Sequence, residues 1–543
     1  LLFYLNPLPL RGRGFFYLHQ SGTFPDLKLY IQYIYSYHKN TFGMFDFESF
    51  LKEYRTRLAE IFASTNEINK ETLDRGITEE SLRKILDLKP LGAFIPSRYG
   101  GFGGNTAEAL SMLEASSYES LPLSLMMGIN GALFLQPIAN YADESVKKEV
   151  YDRVLNANKM GGLMITEPDF GSEALKMQTS YTINPNTGSY SIQGLKHWAG
   201  LTGMADYWLM TAREKNQEGE LGRDISFFVH DTRNGGIDVE EYYNNLGLYM
   251  LPYGKNRVNI EVPAPYKLEP KGTGITLMLD LLHRSRLQFP GMGMGFLKRM
   301  MEEAVSHCRE RFVGGQNLID YDQVKSRITK LQSYFTVCSA MCNFTSRNVP
   351  LEKNTSRMDV QANSIKSVVT DYMQKASQSL LQLTGAKGYR LDHIAGRSTV
   401  DSRPFQIFEG SNDILYQQIS ESVIKMMRKF KRTNLYDFLK EYEPTVRSSD
   451  YFKDILNFEI DAKMPQRKLV ELGKALGRMV SLEFTLKLSD QGFNKELIQN
   501  AISVLQEEIN TILHSFQHGS INEIVEDFQI NSSWFNLQTV NAK

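Results

Sequence analysis

The sequence predicts a mainly α-helical protein with one central β domain, in the order helical, β, helical, helical. Three observations predict it. From about residue 46 apolar side chains recur every three or four positions. Between about 161 and 275 short runs rich in β-branched and aromatic residues alternate with Gly and Asn turns. After 276 the helical period returns and continues almost to the end. A chain of 543 residues exceeds what one core usually fills, so several domains are expected.

Each region has its own texture. Residues 1–45 are rich in aromatics, Gly and Pro and read as an irregular or strand-like extension. The domain at 46–160 opens with FDFESFLKEYRTRLAEIFASTNEIN and ITEESLRKILDLKP, where Thr78 is placed to cap a helix and Pro90 to stop it. PSRYGGFGG at 96–104 reads as a loop. LPLSLMMGINGALFLQPIA at 121–139 is interrupted by Ser124, Asn130, Gln136 and two glycines, which favours a core helix over a membrane span. The β domain, 161–275, contains LMITEP, YTINPNTGSYSIQGLKHWAG, DYWLMTARE, ISFFVHD and YKLEP as strand-like runs. A helical domain at 276–430 follows; its first run carries Pro290 and GMGMG, where a bend or close packing is expected. The last domain, 431–543, holds MVSLEFTLKLSD and ELIQNAISVLQEEINTILHSF. The basic KMMRKFKR before it reads as a solvated helix end.

Composition excludes several classes. A formal net charge of −1 gives no overall basic surface for nucleic acid. Three cysteines, Cys308, Cys338 and Cys342, form neither a disulfide framework nor a CxxC pair, which suits a reducing, cytoplasmic setting. No metal-ligand cluster is evident. The apolar opening, LLFYLNPLPLRGRGFFYL, lacks the basic segment of a secretory leader and receives no assignment.

Five stretches are candidates for chemistry. MITEPDFGSEA (164–174) ends a strand-like run in a loop whose Thr166 and backbone N–H groups are suited to a polar ring edge or an anion. GLKHWAG (194–200) offers Trp198, flanked by small residues, as a cover for a flat cofactor or as a core residue. Strand alternation points His197 away from Trp198, so His197 is discounted. CRERFVGG (308–315) ends a helix with Arg311 before two glycines, which suits either a phosphate clamp or, more commonly, an ordinary surface arginine. QLTGAKGY (382–389) is Gly-rich but is not the dinucleotide fingerprint, and no strand precedes it. QIFEG (406–410) places the carboxylate of Glu409 between Phe408 and Gly410, which on its own reads as an ordinary turn or as a base at the end of an apolar slot.

Taken in order, these stretches resemble the acyl-CoA dehydrogenase family over about 46–430. MITEPDFGSEA is similar to T-E-P-x-x-G-S-[DE], and KHWAGLTGMADYWLMTAR to K-x-W-I-T-N-G-x-x-A-x-[WY]. HRSRLQFPGMGMG is similar to R-x(8)-G with Arg286 and Gly295 in register, CRERFVGG to E-R-x-x-F-G, and QLTGAKGY to Q-x-x-G-G-x-G-[FY]. IPSRYGGFGG matches the early P-x-x-[YF]-G-G-x-G, and Glu409 follows Gly388 at the family distance. The resemblance implies a β domain between two helical bundles with FAD where they meet. It implies that Thr166 bonds the flavin ring, that Gly171 and Ser172 border the flavin phosphate and the acyl-CoA channel, and that Trp198 lies against the flavin. Arg311, Gln382 and Gly385 would reach FAD bound mainly by a neighbouring subunit, with Ser411 also on the cofactor. Arg286 and Gly410 would serve substrate, and Glu409 would be the catalytic base with its own backbone N–H in the oxyanion hole. The implied partners are acyl-CoA, an electron-transfer flavoprotein and a second subunit, in a homodimer or a dimer of dimers. The chain length resembles the very-long-chain type with extra C-terminal helices. No basic amphipathic stretch supports a membrane contact.

The sequence departs from the family at Gly200 (a Thr in the family), Val313 and Gly314, Ala386 (a Gly) and Val400 (an Arg), while Ser411 keeps the hydroxyl of a Thr. An acyl-CoA oxidase and a noncatalytic helical scaffold are the alternative readings.

Overall fold

The computed structural model describes residues 47–63, 77–171, 173–461, 463–518 and 524. The expected extension 1–45 lies outside the described residues, as does Ser172.

Helices come first: α1 (Phe47–Ala63), α2 (Glu79–Leu86), α3 (Thr106–Glu119), α4 (Leu121–Gly128), α5 (Gln136–Tyr141) and α6 (Glu144–Ala157). Thr78 caps α2 as the sequence suggests, accepting from Ser81 N–H; the structure adds caps in which Asn105 accepts from Glu108 N–H, Ser120 from Leu123 N–H and Asp143 from Ser145 N–H. A π-helical turn, Ile129–Leu135, joins α4 to α5. The stretch Leu121–Tyr141 is long and apolar enough to cross a membrane, yet it is wholly enclosed by protein, in agreement with the core-helix reading.

The β domain is a seven-stranded sheet of β1 (Gly161–Met164), β2 (Ser180–Ile183), β3 (Tyr190–Gly200), β4 (Tyr207–Glu214), β5 (Ser226–Asp231), β6 (Ile237–Tyr242) and β7 (Tyr253–Val262). Its order is β1-β4-β2-β3-β7-β6, with β5 on β4. β3 and β7 pair antiparallel along nearly their whole length. In β7 exposed and buried residues alternate, one face packed and one wet. YKLEP does not form a strand: a 3-10 turn covers Ala264–Tyr266, and Lys267 makes only an isolated bridge to Phe228.

The helices then return as α7 (Gly274–Glu310), α8 (Asp322–Asn348), α9 (Asp359–Thr384), α10 (Ile394–Ser402) and α11 (Asn412–Lys429). A small hairpin, β8 (Phe312–Val313) with β9 (Gln316–Asn317), follows α7. α7 continues without interruption through Pro290. Its glycines serve close approach. A Cβ on Gly295 would lie 2.0 Å from Glu114 O, and one on Gly291 2.9 Å from Leu110 O, so α7 and α3 meet backbone to backbone.

Two short helices, α12 (Leu435–Leu439) and α13 (Lys453–Leu456), lead to a long pair, α14 (Gln466–Ser489) and α15 (Lys495–His518). α14 packs on α11 at Gly473, where a Cβ would be 1.9 Å from Tyr416 O. All three cysteines are free.

Candidate active site

The segment between α10 and α11 carries Glu409. Glu409 and Gly410 both have left-handed backbone, at φ 54° and 90°. For a glutamate this is a strained conformation that surrounding contacts must hold. Arg286, buried on α7, donates from Nη2 to Glu409 O at 2.7 Å and from Nη1 to Asn363 Oδ1 at 2.8 Å. Lys366, 0% exposed on α9, donates to Gly410 O at 2.9 Å and to Asn412 Oδ1 at 3.0 Å. Two buried cations thus fix the two successive carbonyls. Among the described residues, the N–H groups of Glu409 and Gly410 donate to no protein acceptor.

The carboxylate itself is divided. Oε1 accepts from Ser285 Oγ at 2.9 Å, while the buried Oε2 has no hydrogen-bond partner. Burial raises the Glu409 carboxyl above its ordinary range, against the opposing pull of Arg286, the Ser285 hydroxyl and Lys366. Burial likewise lowers the Lys366 ammonium, to about 7, with Glu409 acting the other way. A buried carboxylate oxygen without a partner, next to two free backbone donors, is an unsatisfied arrangement that a ligand can complete.

The β domain supplies a second cluster. A bulge in β3 between His197 and Ala199 puts Trp198 at φ 53° and leaves it 54% exposed. Of the two readings of Trp198, core residue or presented ring, the structure shows the presented ring. The bulge also breaks the alternation expected of this strand: the rings of His197 and Trp198 both face Tyr243, with centroids 6.3 and 4.5 Å away. The His197 Nδ1 lies 3.3 Å from the Tyr243 hydroxyl. Thr166 is tied to this strand because its carbonyl accepts from His197 N–H at 3.0 Å. The Thr166 hydroxyl has no partner among the described residues, and Gly171 stands beside it, exposed. Tyr253 links this cluster to the carboxylate. Its ring centroid lies 6.2 Å from that of Trp198, and burial with the field of Glu409 raises its phenol.

A buried ion pair underlies both loops. Lys196 donates to Glu167 Oε1 at 2.9 Å, to Thr211 Oγ1 at 3.2 Å and to Ile165 O at 3.1 Å. Glu167 also accepts from the N–H groups of Gln178 and Thr179. Burial lowers the Lys196 ammonium to about 8 against the pull of Glu167.

Other expected site residues lie elsewhere in the protomer. Arg311 ends α7 and is exposed, 25 positions, or about 38 Å of helix, beyond Arg286. Gln382 and Gly385 are exposed at the end of α9. They share the end of the bundle with Arg311, since Leu383 packs on the cluster that contains Cys308. One protomer therefore does not bring Arg311, Gln382 or Gly385 to Glu409. Ser411 caps α11, accepting from Ile414 N–H at 3.5 Å. Arg286, expected at the substrate, holds the carboxylate segment from within. Ser285, Lys366, Asn363 and the Lys196–Glu167 pair were missed by the sequence reading. The one available signal was a lysine amid the small and apolar residues of NSIKSVV.

Two of the sequence departures have a visible cause or setting. A Cβ at Gly200 would lie 2.8 Å from Ile129 Cδ1 and 3.3 Å from Tyr253 Cε1. The π-helical turn that carries Ile129 therefore fills the space of the family's Thr side chain. At Val400, the 245–251 loop of the β domain approaches so closely that a Cβ on Gly247 would be 2.6 Å from Val400 O.

Donors, ring and carboxylate fit a flavin and a thioester: an exposed tryptophan face, an unpartnered threonine hydroxyl beside it, and a buried base with free N–H groups. Comparison with known proteins agrees. Residues 48–158, 162–259 and 272–424 match the N-terminal, middle and C-terminal domains of acyl-CoA dehydrogenase. The very long-chain specific acyl-CoA dehydrogenase, mitochondrial, of Rattus norvegicus is 23% identical over 370 residues, 67% of this chain and 56% of that protein. This chain thus spans little more than half the length of that relative. The crystal structure of an acyl-CoA dehydrogenase complexed with FAD from Bacillus anthracis superposes at a TM-score of 0.74 with 16% identity, covering 88% of this chain and 89% of that one. The butyryl-CoA dehydrogenase from Megasphaera elsdenii gives 0.62 with 19% identity, covering 70% and 99%. The mitochondrial relatives overturn the cytoplasmic expectation; scarce cysteine reports redox conditions, not an address. The chain belongs to the acyl-CoA dehydrogenase family, with the FAD-binding fold and oxidoreductase domain architecture of that family and a helical extension beyond its core.

Proposed function

We propose that the protein is an FAD-dependent acyl-CoA dehydrogenase that converts a fatty acyl-CoA thioester to its trans-2-enoyl-CoA. The single observation that carries this reading is the buried, unpartnered Glu409 Oε2 next to the free N–H groups of Glu409 and Gly410.

Glu409 Oε2 takes the α-proton of the thioester. The thioester carbonyl gains negative charge as that C–H bond breaks, and the Glu409 N–H is suited to receive it. Arg286 and Lys366 keep the carbonyls of this segment turned inward, so the N–H groups cannot fold back on them. FAD, when bound, supplies the acceptor for the hydride that leaves the β-carbon. The Cα–Cβ double bond forms from the electrons of the broken α C–H bond, and the proton stays on Glu409. Its raised affinity for protons, due to burial, makes Glu409 a stronger base than a surface carboxylate.

Thr166 and Trp198 would hold the flavin ring, with Gly171 and Ser172 toward its phosphate and Ser411 near the ring. Arg311, Gln382 and Gly385 would reach the cofactor of a second subunit; their exposure far from Glu409 supports this division. Electrons would pass to an electron-transfer flavoprotein. Similarity to a very long-chain specific relative supports a long acyl group.

The test is anaerobic titration of the purified holoprotein with acyl-CoAs of graded length. Bleaching of the flavin with a length optimum is expected, and Glu409→Gln should keep FAD yet lose bleaching by about a thousandfold or more in rate. Absence of bleaching with every thioester, or a Glu409→Gln variant reduced at the wild-type rate, overturns the reading.

A further inference from the structure

We propose that Arg478, on the C-terminal helical pair, is a positioning residue for Glu409 and acts through Asp371; the proposal rests on the function assigned above. Asp371, on α9, collects four donors. Oδ1 accepts from Gln406 Nε2 at 2.8 Å and from Asn412 Nδ2 at 2.8 Å. Oδ2 accepts from the Tyr416 hydroxyl at 2.6 Å and from Arg478 Nη2 at 3.3 Å. Gln406 stands three residues before Glu409 and Asn412 three after it. A single carboxylate therefore pins both ends of the strained segment, and Asn412 passes the restraint to Lys366 and so to Gly410 O.

Arg478 makes this possible. It is 4% exposed on α14 and is shared between Asp371 and Glu508 of α15, the latter at 2.8 Å. Burial alone would raise the Asp371 carboxyl; Arg478, followed by the hydrogen bonds from Tyr416, Gln406 and Asn412, holds it below the usual range. Without the guanidinium, Asp371 would be a largely buried anion opposed only by the weaker field it shares with Lys366, and such a group takes up a proton more readily. A protonated carboxyl cannot accept from all four donors at once. One end of the segment would then come loose, and the N–H groups of Glu409 and Gly410 would lose their fixed aim. On this account the extension beyond the core fold completes the active site from behind.

The experiment compares Arg478→Met, Arg478→Lys and Glu508→Gln as full-length holoproteins; Glu508→Gln loosens the same helix pair while leaving the Arg478–Asp371 contact. Two quantities are read: amide hydrogen exchange of the 404–415 peptide, and the rate of flavin reduction at saturating acyl-CoA. Arg478→Met is expected to exchange about tenfold faster at the hydrogen-bonded amides of Ile407, Phe408 and Leu415 and to reduce flavin about tenfold more slowly at little-changed KM. Arg478→Lys should recover most of both, and Glu508→Gln should lower Tm without moving either. If Arg478→Met does not fold, Arg478→Gln takes its place. Wild-type exchange of the 404–415 peptide in the Arg478 variant, or equal acceleration in Glu508→Gln, overturns the proposal. If no acyl-CoA reduces the flavin, the functional reading fails, while the exchange comparison still decides the positioning role.

Discussion

The hydroxyl of Ser285 donates to one oxygen of Glu409, at 2.9 Å, and leaves the other oxygen bare. This bond stabilises the ionised carboxylate and works against burial, the dominant cause of its raised pKa. Ser285→Ala removes that restraint. In the proposed reaction Glu409 must be ionised to act, so the rate of flavin reduction should rise as pH passes through its pKa. In the variant this rise moves to higher pH, which a stopped-flow pH profile of the reduction step measures. An unmoved profile would show that the hydroxyl does not govern the base.

Gly200 and Ile129 share a space that fits only one side chain. Restoring the family's threonine by Gly200→Thr overpacks the site and lowers stability by about 1–2 kcal/mol. Ile129→Ala in the same chain should return most of that loss. Urea midpoints of the single and double variants check the coupling.

Lys196 and Glu167 lie under the loops that carry Trp198 and Thr166. Lys196→Met leaves a buried carboxylate without its cation and is expected to cost about 3–5 kcal/mol, whereas Lys196→Met combined with Glu167→Gln costs much less. Retained FAD after gel filtration is the second readout, because Thr166 and Trp198, proposed above to hold the flavin, ride on this pair.

Asp401 is buried and accepts from Leu248 N–H at 2.6 Å, joining α10 to the β domain. Burial raises its carboxyl to about 6. The folded form thus keeps its proton up to about pH 6, while the unfolded chain releases it near 4. Between those values the folded state binds more protons, so stability falls as pH rises. Relative to Asp401→Asn, the wild type should lose up to ~3 kcal/mol across that window, read from denaturation midpoints at pH 4, 5, 6 and 7.

Helices and strands were legible where period decided them. The in–out alternation of β7, the cap at Thr78 and the buried run at 121–139 all follow from local pattern. Glu409 was legible from its spacing to Gly388 and from the motifs upstream. What sequence could not reveal depends on contacts distant along the chain. Ser285, Lys366 and Asp371 take their meaning from a segment that arrives 124, 44 and 35–45 residues later. The bulge at Trp198 overrode strand alternation, and Pro290 was absorbed into α7, whose next residue, Gly291, lies against the backbone of α3.

α7 has a further consequence. Its first turn is tied to the β domain, where the Asp224 carboxylate accepts from Gly274 and Ile275 N–H, and its last residue is followed by Arg311. Ser285 and Arg286 sit between those ends. The helix is a ruler of 37 residues, ~55 Å long, that sets a fixed interval between the two residues holding the Glu409 segment and the exposed Arg311 at its far end. An inserted residue anywhere along it would turn everything downstream by about 100° and advance it by about 1.5 Å. On the proposed division of labour, spacing within this rod decides whether Arg311 can meet a second subunit's cofactor while Ser285 and Arg286 still meet Glu409.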